Sequence, residues 1–162
     1  TLHACPLRPK SRGHLAIKSA DPAQPIAIHA NYLSEPDDLA SMIDCLHLSR
    51  EILSQPAFAS YRSNEVMPGD DVQSREGLID YIRRKAETIY HPVGTCRMGI
   101  DADAVVDPQL RVRGVRNLRV VDASIMPTLT GGNTNAPTVM IAEKAADLIL
   151  SETSPSTEHA KL

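Results

Sequence analysis

The sequence predicts an α+β fold, an antiparallel sheet with helices on one side, from three observations. Alternating apolar runs near the start, HLAIK (14–18) and PIAIHANYL (25–33), are set off by turn residues and read as strands. Two amphipathic stretches with capping residues ahead of them follow. Short strand-like pieces then lead into a final apolar helix without a βαβ rhythm, which excludes a regular α/β arrangement. A length of 162 residues suits a single domain-sized core.

Each element has a local reason. The KSRG turn and the DP pair at 21–22 bracket a β ribbon within residues 1–33. Ser34, with Asp37 three residues on, is the candidate cap of a helix over about 35–54, whose inner face is Leu39, Met42, Ile43, Leu46 and Leu53. Ser74 is a second candidate cap, and Leu78, Ile79, Ile82 and Ala86 predict a helix running toward Ile89 and ending just before His91. In AVVDPQLRVRGVRNLRVVDASIMP (104–127), apolar pieces between DP, RG and RN predict two or three short strands, the last of them, LRVVD, buried. GGNTNAPTVMIAEKAADLIL (131–150) places a Pro in the first turn of a helix over about 137–150. That helix is apolar almost all round, so something must bury it. The polar SETSPSTEHAKL (151–162) reads as a disordered tail.

Composition narrows the function. Seventeen Lys and Arg against twenty Asp and Glu give a net charge of −3, no basic field for nucleic acid. Four Tyr, one Phe and no Trp leave little for base stacking. The eight glycines form neither GxGxxG nor GxxxxGK. Cys5, Cys45 and Cys96 are far apart and form no CxxC pair, so neither a disulfide framework nor a metal site is expected. No apolar run approaches a membrane span and TLHACPLRPKSRG lacks the core of a signal peptide, so a soluble, cytoplasmic setting is expected.

His91 stands out in AETIYHPVGTCRMG (86–99). Taken alone, it also reads as a core histidine satisfied by backbone groups. Cys96 lies five residues on, in the same loop, and no third orienting group accompanies the pair. A small packed thiol is therefore the better reading than a Cys-His nucleophile. Asn133 alone reads as a turn residue, Asn135 as a helix cap and Asp122 as an ordinary strand-end acid. Arg83, Arg84 and Lys85 read as a solvated helix face.

In combination, YHPVGTCRMG, VVDPQLRVRGVRNLRVVDASIMPT and GGNTNAPTVMIAEKAADLIL closely resemble the C-terminal signature of the glucose-methanol-choline (GMC) family of flavin alcohol oxidoreductases. Upstream, LRPKSRGHLAIKSADPAQPIAIHANYLSEPDDL is similar to the substrate domain of its choline dehydrogenase-like and aliphatic alcohol dehydrogenase members. The resemblance covers roughly residues 7–150. It implies that residues 1–100 are a substrate-binding portion carrying the catalytic His loop. Residues 101–150 would then return to a FAD-binding domain as its last strand and a flavin-facing helix.

By this resemblance His91 takes the place of the family's catalytic base, which accepts the substrate hydroxyl proton while the carbinol hydride passes to flavin. An imidazole suits that work because its ordinary pKa lies near operating pH. Asn133 falls where members carry His or Asn beside the base and would donate to the substrate oxygen as charge develops. Asn135, Pro137 and Thr138 would face the pyrimidine end of the flavin at a helix N-terminus. Asp122 and the Ala123 amide would hold the ribityl chain.

The family's GxGxxG part, which grips the ADP half of FAD, is not in this sequence, so the chain resembles the C-terminal third of such an enzyme. Expected partners are a small-molecule alcohol, choline-like or aliphatic, an electron acceptor such as a quinone, and an N-terminal FAD-binding segment or partner chain. The acceptor would allow peripheral association with the inner membrane. Two alternatives stay open: an isolated fragment without activity, and a lyase-type member of the family.

Overall fold

The computed structural model describes residues 1–153. They form two compact units, Thr1–Ile89 and a second that begins at Tyr90. His91 therefore belongs to the second unit. This structural division falls earlier in the chain than the functional one expected near residue 100.

In the first unit, β1 (His14–Ala16) pairs antiparallel with β2 (Ala27–His29), in the register His14 to His29 and Leu15 to Ile28. The expected ribbon is present, and it is the whole of the regular sheet among the described residues. Both strands are largely solvent-facing. A Cβ at Gly13 would collide with the carbonyl oxygens of His29 and Ala30, so the backbone approach before β1 admits only glycine.

Helix α1 (Pro36–Ser54) begins one residue later than a Ser34 cap would require. Pro36 sits in its first turn, and Glu35 becomes the cap without a side-chain bond of its own. The Ser11 hydroxyl reaches across from the ribbon side and accepts the Glu35 amide at 3.1 Å. Asp38, nearly fully buried, completes this tie by accepting from the Lys10 amide at 2.8 Å and from the Ser11 amide at 2.7 Å. At the far side of α1, Arg50 holds Glu65 and the Val72 carbonyl at 2.9 Å each, which pins the long connection back onto the helix.

Helix α2 (Arg75–Lys85) starts as expected, with the Ser74 hydroxyl accepting the Gly77 amide. Arg83, Arg84 and Lys85 fill its last turn, exposed and favourably placed against the helix dipole. It stops at Lys85, short of the expected Ile89. Ala86 turns extended, and Ala86 and Ile89 are exposed rather than part of the inner face. Thr88 and Ile89 are β-branched and Tyr90 has a φ of +62°, none of which favours continuing a helix. Ile43 of α1 packs on Leu78 and Ile82 of α2, with Leu39, Met42, Leu46 and Ile79 around them. The apolar spacing read from the sequence thus gives the α1/α2 core.

The second unit has little regular secondary structure before its final helix. In place of two or three strands, residues 98–119 make isolated bridges, Met98 to Val106, Val106 to Val112 and Arg111 to Arg119. The closing strand expected at LRVVD is not formed as a strand among the described residues. Leu118 is exposed, Val120 and Val121 are half-buried, and the chain enters a 3-10 turn at Ala123–Ile125. Asp107 organises the DP turn by accepting from the Gln109 and Arg111 amides and from the Arg111 guanidinium.

Helix α3 (Asn135–Thr153) begins two residues earlier than expected and runs into the segment predicted to be a tail. The rest of that tail, 154–162, lies outside the described residues. One face of α3 is covered: Ile141 and Ala145 pack with Val106, Leu110, Ile125 and Met126. Val139, Met140, Ile149 and Leu150 remain exposed, so within the described residues the burial that an all-round apolar helix demands is met on one face only. Glu152 at its end lies 2.6 Å from Arg119.

Candidate active site around His91

The second unit's core explains how residues distant in sequence meet. The loop after His91 runs beside the 3-10 turn, with the Cys96 amide donating to the Ser124 carbonyl at 3.0 Å and the Met98 amide to the Ile125 carbonyl at 2.8 Å. Val93 and Met98 pack against the same cluster that seats Ile141 and Ala145 of α3. Loop, turn and helix thus share one apolar foundation, and the polar residues at their margins are carried with it.

At that margin, His91 Nδ1 lies 2.8 Å from the Thr134 hydroxyl. His91 is half-buried and follows Tyr90, a non-glycine residue at φ +62°. Such a conformation persists only where the surrounding structure holds it. Thr134 directly precedes α3, and its carbonyl accepts the Thr138 amide at 3.0 Å and the Thr138 hydroxyl at 2.6 Å. His91 is therefore tied to the N-terminus of α3, beside Asn133 and Asn135.

Asn133 and Asn135 are exposed at this end, and Pro137 and Thr138 are half-buried. Asn135 is the first helical residue, so the cap position belongs to Thr134 and not to Asn135. Asp122 is exposed, and one of its oxygens accepts the Ser124 amide at 2.7 Å, capping the turn that Ala123 begins. Asp122 and Ala123 thus stand on the turn that the His91 loop runs beside, while Asn133 lies just ahead of α3 and Asn135, Pro137 and Thr138 stand in its first turn. Cys96 is half-buried, with its amide engaged, as a packed thiol would be. Thr134 is the residue that sequence reasoning missed. Its signal was a Thr three residues ahead of a Pro at a helix start, a cap hydroxyl facing a position without an amide.

The family described as GMC oxidoreductase matches residues 9–142, which decides the matter. The chain belongs to the GMC oxidoreductase family. This GMC chain is 55% identical over 150 residues, 93% of its length, to a Pseudomonas putida protein named alcohol dehydrogenase (acceptor), of which it covers 27%. It is 47% identical over 161 residues, 98% of its length, to an oxygen-dependent choline dehydrogenase of Photobacterium profundum, covering 28% of that protein. Among solved structures, pyridoxine 4-oxidase from Mesorbium loti superposes with a TM-score of 0.85 at 39% identity, over 90% of this chain and 28% of the other. The GMC chain spans about a quarter of the length of these relatives. Its small antiparallel sheet and three helices are the GMC C-terminal fold.

Proposed function

We propose that this chain supplies the catalytic base and part of the flavin site of a FAD-dependent, acceptor-linked dehydrogenase that oxidises a primary alcohol, choline-like or aliphatic, to an aldehyde. The observation that carries the reading is His91 held at the N-terminus of α3 by Thr134. GMC enzymes are FAD-dependent, and the residues at this end of the chain fit a flavin. The first turn of α3 holds no acidic residue, and the amides of Asn135 and Ala136 precede the first hydrogen bond of the helix, Thr138 to Thr134. Such an end favours the electron-rich pyrimidine edge of a reduced ring.

When bound, FAD would supply the acceptor for the hydride of the carbinol carbon. The chain's own residues prepare that loss. His91 accepts the hydroxyl proton, because hydride leaves an alkoxide more readily than an alcohol. Asn133 donates its amide to the substrate oxygen as negative charge grows there. Asn135, Pro137 and Thr138 form the wall at the start of the helix, and Asp122 with the Ala123 amide binds the ribityl chain. Residues 1–100 contribute to the substrate side and 101–150 to the flavin side. The ADP half would be held by a GxGxxG-bearing segment outside this chain, and a quinone or similar electron acceptor would allow a cytoplasmic enzyme to associate peripherally with the inner membrane.

Co-expression of this chain with such a segment, followed by dye reduction with a panel of primary alcohols, tests the reading. Alcohol-dependent dye reduction that disappears in His91→Ala supports it and excludes a lyase as the main activity. Flavin-free, inactive protein in the pair would leave an inactive fragment as the correct description.

A further inference from the structure

We propose that Thr134 is the positioning residue of His91: its hydroxyl accepts the Nδ1–H of the imidazole and so presents the Nε2 lone pair to the substrate hydroxyl. This rests on His91 being the base. A neutral imidazole carries one N–H and one lone pair, and the partner of one nitrogen decides which nitrogen can take a proton. Free imidazole side chains favour the Nε2–H form, whose Nε2 has no lone pair to offer. The contact of 2.8 Å between Thr134 Oγ1 and His91 Nδ1 is the means to reverse that preference.

Three features of the chain direct the Thr134 hydroxyl to this work. A hydroxyl in its place, just before a helix, ordinarily bonds an amide two or three residues on; the third residue here is Pro137, which has no N–H, so only the Ala136 amide competes with His91 for it. The Thr134 main chain is fixed by two bonds into its carbonyl, from the Thr138 amide and hydroxyl. Its β-branched side chain has restricted rotation. When the substrate O–H bond breaks and the Nε2–H bond forms, the electron pair stays on the substrate oxygen. The imidazolium then donates from Nδ1 to the same Thr134 oxygen, so one contact serves both states.

The test uses nitrogen-15 spectra of the His91 ring in this chain, and kcat/KM in the co-expressed pair, for the wild type, Thr134→Val and Thr134→Ser. The wild type and Thr134→Ser should show the Nδ1–H form. Thr134→Val should revert to Nε2–H and lose roughly five- to tenfold in kcat/KM, as expected for one hydrogen bond. An Nε2–H ring in the wild type would overturn the proposal, as would an unchanged ring tautomer in Thr134→Val. A Thr134→Ser variant as impaired as Thr134→Val would also overturn it, since the methyl would then be what matters. Failure of the base reading is separate: His91→Ala would retain turnover whatever the ring spectra show.

Discussion

Gly94 stands against Met126: a Cβ built on Gly94 would lie 3.3 Å from the Met126 carbonyl oxygen, and Gly94 itself has a φ of +91°. The turn that carries the chain from His91 to the core therefore disfavours a side chain on two grounds. Gly94→Ala should destabilise the protein by about 1–2 kcal/mol from the backbone conformation alone. It should also lower alcohol turnover by shifting His91. Urea unfolding and steady-state rates of the variant check both.

Asp38 supplies a pH dependence. Burial opposes its ionisation, but the Lys10 and Ser11 amides and the Ser11 hydroxyl together outweigh burial and hold its carboxyl below the usual carboxylate range. A depressed folded-state pKa means that the unfolded state binds the proton first. The contribution is thus complete above the ordinary carboxylate value of about 3.9 and is lost as pH falls from there through the folded value. Asp38→Asn should cost about 1–3 kcal/mol at neutral pH by turning an N–H group toward donors. It should also flatten the acid limb of stability, read from urea midpoints between neutral pH and pH 3.

Ile125 is buried in the core of the second unit, and its carbonyl also holds the Met98 amide. Ile125→Ala removes apolar contact from beneath the His91 loop and α3 together, and should cost about 2–5 kcal/mol. Thermal unfolding should show it as a larger loss than the same truncation at exposed Ile100.

Asn133 and Asn135 flank Thr134 and separate two roles. Asn133→Ala should lower kcat by about 10²-fold or more, the scale of losing one donor to a developing oxyanion. Asn135→Ala should act on flavin retention instead, seen as a lower ratio of flavin absorbance to protein. Equal effects of the two on kcat would contradict this division.

The sequence made α1 and α2 legible because their cores repeat at helical spacing and Ser74 caps as its type suggests. The ribbon was legible from its turns. The strands expected in 104–127 were not formed, because turn residues every few positions leave pieces too short for more than single bridges. Ser34 failed as a cap for a local reason, Pro36 having set the helix start one residue on. At the site, the family motif pointed to His91 and Asn133, and the fold placed both at the N-terminus of α3. Thr134 was hidden because its role depends on a partner 43 residues away, a pairing that only the fold creates.

The central claim, that this chain carries the base of a flavin alcohol dehydrogenase, is tested most directly by anaerobic mixing of the co-expressed, flavin-loaded pair with a primary alcohol while its visible absorbance is followed. The account predicts bleaching of the flavin band in the wild type and bleaching slowed about 10²- to 10⁴-fold in His91→Ala. Equal bleaching rates in the two proteins would contradict it.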